Sequence, residues 1–206
     1  MSAEPRIFIV DDDDAIRDSL QLLLQSSGFD SIVAYSSARA FLNEAQPKPG
    51  ECLLLDVRMP DMDGLELQEE LSRRGVKLPV IIMTGHADVP IAVRAMKAGA
   101  ADFIEKPFAE EVLLDCIRRA RAHAAEAQRE RSEADETRRR EQTLTPRERD
   151  VLHGMIAGRP NKLIAYDLGI SPRTVEIHRA RVMEKMQARS LSALVRMALA
   201  AGLEAG

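Results

Sequence analysis

Four short runs in the first half of this chain each stop at a residue able to do chemistry, and that recurrence constrains the fold most. Ile7-Phe8-Ile9-Val10 stops at Asp11-Asp12, Cys52-Leu53-Leu54-Leu55 at Asp56, Pro79–Met83 at Thr84, and Ala101–Glu105 at Lys106-Pro107. Apolar runs of this length without polar alternation, as the first three are, belong to strands covered on both faces. A further strand is expected over Ser31–Tyr35. Between the strands lie stretches with helical spacing: Ile16, Leu20, Leu23 and Leu24, stopped by Gly28; Ala38–Ala45; Leu65, Leu67 and Leu71, entered at Gly64; Val89–Ala98, stopped by Gly99; and Val112, Leu113 and Ile117. Five strands alternating with five helices predict an α/β domain, a (βα)5 doubly wound parallel sheet. Ligands of such sheets sit beyond the carboxyl ends of the strands, where Asp11, Asp12, Asp56, Thr84 and Lys106 fall.

Those residue types suit one chemistry. Three neighbouring carboxylates stay ionised only beside a cation. Hard oxygen donors with open positions suit Mg²⁺, which keeps several waters and binds substrate phosphate. An aspartate between metal and ammonium can attack phosphorus and become an acyl phosphate. Lys106 supplies positive charge to a phosphoryl oxygen and Thr84 a hydroxyl donor. Asp13, Asp14, Asp61 and Asp63 read as loop or capping acids, and His86 as a surface loop residue.

The second half differs in charge. Of the 206 residues, 29 are basic and 33 acidic; from Thr143 onward ten are basic and six acidic, leaving the acidic excess in the first part. Residues 120–142 hold 12 charged residues among 23, with Ala as the apolar type and no Gly or Pro, and read as a charged helical linker continuing from the fifth helix. Thr145-Pro146-Arg147-Glu148 is a capping box opening a helix. Asn161 is expected to cap a second helix and Ser171-Pro172 to open a longer third one after the Gly169 turn; a fourth is expected from Ser190 to Ala201. This is a helix-turn-helix pattern in an all-α four-helix domain. On the helix from Pro172, Val175, His178, Val182 and Met186 share a stripe toward the core. Arg173, Glu176, Ile177, Ala180, Arg181 and Glu184 face outward. In a major groove, Arg173, Thr174, Arg179, Arg181 and Lys185 reach phosphates, while Glu176, Ile177 and Ala180 meet base edges.

Aromatic residues are 3% of the chain and Trp is absent, which argues against binding by aromatic stacking on single strands or RNA. No apolar run approaches the ~18 residues of a membrane span, and Met1–Arg6 lacks a signal pattern. Cys52 and Cys116 belong to no metal-binding or redox pair and read as buried reduced thiols, so a cytoplasmic location is expected.

Residues 5–118 resemble the receiver domain of two-component response regulators. The matching pieces are Val10-Asp11-Asp12-Asp13, Asp56-Val57-Arg58-Met59-Pro60-Asp61-Met62-Asp63-Gly64, Met83-Thr84-Gly85-His86 and Lys106-Pro107-Phe108. Leu144–Leu203 resembles the LuxR-type helix-turn-helix output domain through Leu144–Glu148, Asn161–Ala165, Ile170–Glu176 and Lys185-Met186. The whole build is similar to response regulators of the FixJ type, with a flavodoxin-like receiver at 1–119, a linker at 120–142 and the DNA-binding domain at 143–206.

The resemblance implies that Asp56 takes a phosphoryl group from a sensor histidine kinase. It implies Mg²⁺ held by Asp12, Asp56 and the Arg58 carbonyl, with Asp11 acting through water. It further implies Thr84 and Phe103 as a switch pair, a cis Lys106–Pro107 bond, and dimerisation through the fourth helix, where Val89, Val93 and Met96 are apolar. A phosphorylation-activated regulator of promoter DNA, a non-enzyme working with RNA polymerase, follows; control of nitrogen fixation or an oxygen response is the physiological role that the FixJ type implies. Two other readings stay open: a metal-dependent phosphatase with an aspartyl intermediate, although Arg58 stands where such enzymes place a second Asp, and a receiver whose helical domain binds protein.

Overall fold

The computed structural model describes residues 5–85 and 89–203. The reading of His86 falls outside them. The chain divides into two compact units, Met1–Ala127 and Gln128–Gly206.

The first unit holds strands β1 (Ile7–Val10), β2 (Ile32–Tyr35), β3 (Cys52–Asp56), β4 (Val80–Thr84) and β5 (Asp102–Glu105). They alternate with helices α1 (Asp14–Ser26), α2 (Ala38–Glu44), α3 (Gly64–Arg73) and α4 (Val89–Lys97), and α5 (Glu110–Gln142) follows β5. All five strands are parallel, in the order β2-β1-β3-β4-β5. The expected strands and helices are present, and the order reverses between β1 and β3, which makes the carboxyl ends of those strands the crevice.

Side chains alternate across each strand, so one sheet builds two cores. Phe8, Val10, Leu53, Leu55, Val80 and Ile82 pack with Phe41, Leu65, Leu67 and Leu71 on the face covered by α2 and α3. Ile7, Ile9, Cys52, Leu54, Ile81 and Met83 pack with Leu20, Leu24, Leu113 and Ile117 on the face of α1 and α5. Each such fully buried aliphatic side chain contributes about 1.5–3 kcal/mol, which is why short apolar runs suffice to hold the strands. Phe41 meets Phe8 and Tyr35 edge to face at 5.4 and 5.5 Å. Both cysteines are free and buried. Burial pushes the Cys52 thiol up to about 12 and, with Asp102 beside it, the Cys116 thiol up to about 11. Asp13 caps α1, and Asp63 forms a capping box with Glu66 at the start of α3.

The second unit contains α6 (Pro146–Ile156), α7 (Asn161–Leu168), α8 (Pro172–Lys185) and α9 (Leu191–Ala200). Thr145 and Glu148 form the expected capping box, and Ser171 and Ser190 cap α8 and α9. Gly169 turns the chain between α7 and α8 with φ 64°, a left-handed conformation that glycine adopts without a Cβ penalty. Its core is Val151, Leu152, Met155, Ile164, Val175, Val182, Met186 and Leu194.

One expectation is corrected. Asn161 does not cap α7: Pro160 occupies the cap position in extended conformation, with no side-chain cap bond, and Asn161 is already helical. The charged stretch 120–142 is helical and continues from the fifth helix, as expected. It is part of the 33-residue helix α5, and residues 128–142 group with the second unit. Ala134 and Thr137 are buried there, and the Thr137 hydroxyl donates to the Glu133 carbonyl at 2.9 Å.

Candidate functional site

At the carboxyl end of the sheet, the loop after β5 carries Lys106 back over β1 and β3. Its Nζ donates to Asp11 Oδ2 at 2.7 Å and to Asp56 Oδ1 at 2.6 Å. Asp56 Oδ2 accepts from the Arg58 backbone N–H at 2.6 Å, and Asp11 Oδ1 from the Asp13 backbone N–H at 3.0 Å. Arg17 Nη1 donates to the Asp11 carbonyl at 2.7 Å. One ammonium thus holds two buried carboxylates together, and the backbone sets the tilt of each.

The electrostatics follow from that crowding. Burial, with the Asp11 charge nearby, pushes the Asp56 carboxyl above its ordinary value against the pull of Lys106. Burial also works against the Lys106 ammonium, but hydrogen bonds and attraction from both carboxylates outweigh it and raise its pKa. Asp12 stands exposed at the rim. Among the described residues no three His, Cys, Asp or Glu side chains form a ready cation cage. Two converging carboxylates and an exposed third are nevertheless the donor set that Mg²⁺ uses, since it binds through one or two carboxylates and keeps its waters.

Thr84 is buried at the end of β4. Its carbonyl accepts from the Lys106 backbone N–H at 2.7 Å, so Thr84 and Lys106 are held as neighbours. Ile82 pairs with Phe103 and Thr84 with Glu105. By alternation Thr84 and Phe103 share the sheet face of the α2–α3 core, against which Phe103 is partly buried. Lys106–Pro107 is cis. Val89, Val93 and Met96 of α4 are 76%, 45% and 51% exposed, while Ala95 is the buried residue of that helix.

One site residue was not singled out for this role in the sequence. A Cβ on Gly64 would lie 2.1 Å from the Asp56 carbonyl oxygen. The Gly64 N–H donates to the Val57 carbonyl at 2.9 Å. The bare backbone of Gly64 therefore lets α3 start directly against the strand end that carries Asp56. The Asp-Gly pair before an apolar helix was the available signal.

On α8 and at its C-cap, Val175, Val182 and Met186 are fully buried, and Arg173, Glu176, Ile177, Ala180 and Arg181 are exposed as expected. His178 and Arg179 are half-buried, and His178 Nδ1 is buried without a hydrogen-bond partner. Thr174 Oγ1 lies 2.8 Å from Ser171 Oγ. Lys185 departs from the outward reading: its Nζ lies 2.6 Å from Glu148 Oε2 and 3.3 Å from the Thr143 carbonyl.

The family description "Response regulator receiver domain" matches residues 7–118. The chain belongs to the response regulators. Its C-terminal part, residues 142–198, matches "Bacterial regulatory proteins, luxR family". The response regulator is 52% identical over 196 residues to the transcriptional regulatory protein FixJ of Rhizobium meliloti (strain 1021), covering 95% of this chain and 96% of that one. It is 42% identical over 191 residues to the response regulator protein TodT of Pseudomonas putida, covering 93% and 84%. Among solved structures, the response regulator StyR is similar with a TM-score of 0.81 at 43% identity, covering 96% of this chain and 99% of that one. Full-length FixJ from B. japonicum is similar at 46% identity and a TM-score of 0.59, covering 98% and 99%. This response regulator is FixJ-like: a receiver domain joined to a LuxR-type DNA-binding domain, with phosphorylation-activated regulation of transcription as its function.

Proposed function

We propose that Asp56 is the phosphoacceptor and that a sensor histidine kinase is the donor. The Lys106 ammonium clamped between Asp11 and Asp56 carries this reading. In the transfer, an Asp56 carboxylate oxygen attacks phosphorus, the phosphorus–nitrogen bond of the donor's phosphohistidine breaks, and the imidazole nitrogen keeps the electron pair and takes a proton. Phosphoryl transfer is catalysed mainly by positioning and charge neutralisation. The Arg58 N–H orients Asp56, Lys106 moves its attraction from carboxylate to phosphoryl oxygen, and the Thr84 hydroxyl donates to a second oxygen. Asp11, Asp12, Asp56 and the Arg58 carbonyl would hold Mg²⁺, which when bound supplies positive charge to the phosphoryl oxygens. As Thr84 shifts, Phe103 turns with it on the shared face, a local change with a bistable readout.

The exposed apolar residues Val89, Val93 and Met96 then serve a two-fold dimer of receivers. Pairing two helix-turn-helix units supplies the paired half-site contacts that specific binding needs. In each unit Arg173, Thr174, Arg179 and Arg181 contact phosphates of promoter DNA and Glu176, Ile177 and Ala180 meet base edges. Lys185, tied to Glu148, is left out of this set. RNA polymerase is the downstream partner. Among the described residues no helix is long and apolar enough to cross a membrane, and the reduced, buried thiols suit the cytoplasm. The protein acts as a regulator, with no substrate turnover of its own beyond its phosphoryl group.

The test is Asp56→Asn with acetyl phosphate or a cognate kinase, followed by intact-protein mass. Loss of the phosphoryl adduct is expected. An adduct at wild-type level would refute the assignment.

A further inference from the structure

The charged second half of α5 reaches the ends of two helices in the DNA-binding unit. Arg138 Nε donates to the carbonyl of Ala201, the C-cap residue of α9, at 3.0 Å. Arg140 Nη1 lies 3.4 Å from the carbonyl of Met186, the C-cap residue of α8, while its Nε donates to Glu136 Oε1 at 3.1 Å. Arg138 is held from its other side by Asp135 at 2.8 Å. The last carbonyls of a helix lack partners within it and carry the negative end of its dipole, so a guanidinium there is doubly favoured. Two arginines two residues apart on one helix thus cap two different helices, each steadied by an acid of its own turn.

A second observation marks the same place. Gln187, the residue after Met186, has φ 53°, a left-handed conformation that a side chain makes costly and that persists where neighbours over-determine it. The turn that ends α8 is therefore strained, and the guanidinium of Arg140 sits on its first carbonyl. Thr137 and Ala134, buried about one and two turns before Arg140, keep this part of α5 against the unit.

We propose that Arg140, with Arg138 beside it, is a positioning residue for DNA recognition: the end of α5 grips the carbonyl ends of α8 and α9 and so sets how α8 is presented to the groove. The proposal rests on the reading of α8 as the DNA-contacting helix. It makes residues 128–142 a working part of the DNA-binding unit.

The test uses the full chain with Arg140→Gln, Arg138→Gln, Arg140→Lys and the double variant Arg140→Gln/Gln187→Gly. The probes are 30-base-pair duplexes that the wild-type protein enriches from a random pool, and scrambled duplexes of equal composition. Arg140→Gln is expected to lower affinity for the enriched duplex by about fivefold, the worth of one cation at a helix C-terminus. Affinity for the scrambled duplex and the salt slope should stay unchanged. Arg138→Gln should do the same more weakly, Arg140→Lys should keep most of the affinity through its charge, and Gln187→Gly should restore part of the loss by removing the strain. A salt slope lower by about one unit with weakened binding to both duplexes would make Arg140 a phosphate contact and overturn the proposal. A loss fully explained by a smaller folded fraction would also overturn it, by leaving a merely structural role. Amide exchange keeps the two readings distinguishable. Should wild type enrich no duplex from the pool, the reading of α8 fails and with it the recognition role, whereas faster exchange in the last turn of α8 in Arg140→Gln would still report the grip. Unchanged exchange there overturns the grip itself.

Discussion

Glu148 offers a measurable link between the capping of α6 and the placement of α8. Its carboxylate is almost wholly buried, accepts from the Thr145 backbone N–H at 2.9 Å and pairs with Lys185 at 2.6 Å. The Lys185 hydrogen bond foremost, and then the Thr145 N–H, hold its pKa down at about 2, against an ordinary 4.5. Because the folded form binds its proton later than the unfolded chain, this stabilisation is complete above about pH 4.5 and is lost as pH falls toward about 2. At about 1.36 kcal/mol per unit the gap sets a ceiling near 3 kcal/mol. The Lys185 side chain is 36% exposed, so water screens the pair, and about 2 kcal/mol is the expected effect of Glu148→Gln at neutral pH. Urea unfolding of the full chain, followed through the methyl signals of Val151 and Val182, isolates the second unit. The difference between wild type and Glu148→Gln should shrink toward zero by about pH 2. A Lys185→Met variant completes a double-mutant cycle, and coupling should be evident. A difference that is the same at pH 7 and at pH 3, or strictly additive variants, would refute the reasoning. Lys185→Met should also leave the salt dependence of DNA binding unchanged.

Gly64→Ala should destabilise the receiver by about 1–3 kcal/mol, because its Cβ has no room beside the Asp56 carbonyl, and should slow phosphorylation; a wild-type melting curve and adduct yield would argue otherwise. Ultracentrifugation with beryllofluoride and Mg²⁺ should convert a monomer to a dimer in wild type and leave Val93→Glu monomeric. Dimerisation of Val93→Glu at wild-type concentration would remove α4 from the interface. Glu176→Ala should change which sequences are enriched from a random duplex pool while keeping the salt slope, and identical preferences would take Glu176 out of the readout.

Much of the receiver was legible because its signals are local. A strand buried on both faces writes itself as an apolar run, and in an open parallel sheet the residue just past that run lands in the crevice. Asp11, Asp56, Thr84 and Lys106 could therefore be picked out together. Capping was legible for the same reason at Thr145 and Ser171, where donor and acceptor are three residues apart. Asn161 misled because Pro160 can itself take the extended cap geometry, and the preference for a polar cap yields to that backbone constraint. For Val89, Val93 and Met96, helical spacing is the same whether a stripe meets a core or solvent, so only the packing of α4 through Ala95 decided that they are exposed. Lys185 and Glu148 are 37 residues apart, and Arg140 and Met186 are 46 apart. Their meeting depends on which helix faces close on one another, and a charged stretch of sequence looks alike whether its arginines point to water or to the end of another helix. The gathering of Asp11, Asp56, Thr84 and Lys106 at the sheet's edge was determined by the sequence alone, because strand geometry carries them there. The contacts of Arg138 and Arg140 with the ends of α9 and α8 were decided by tertiary structure, because a helix terminus attracts any cation that the fold brings within reach.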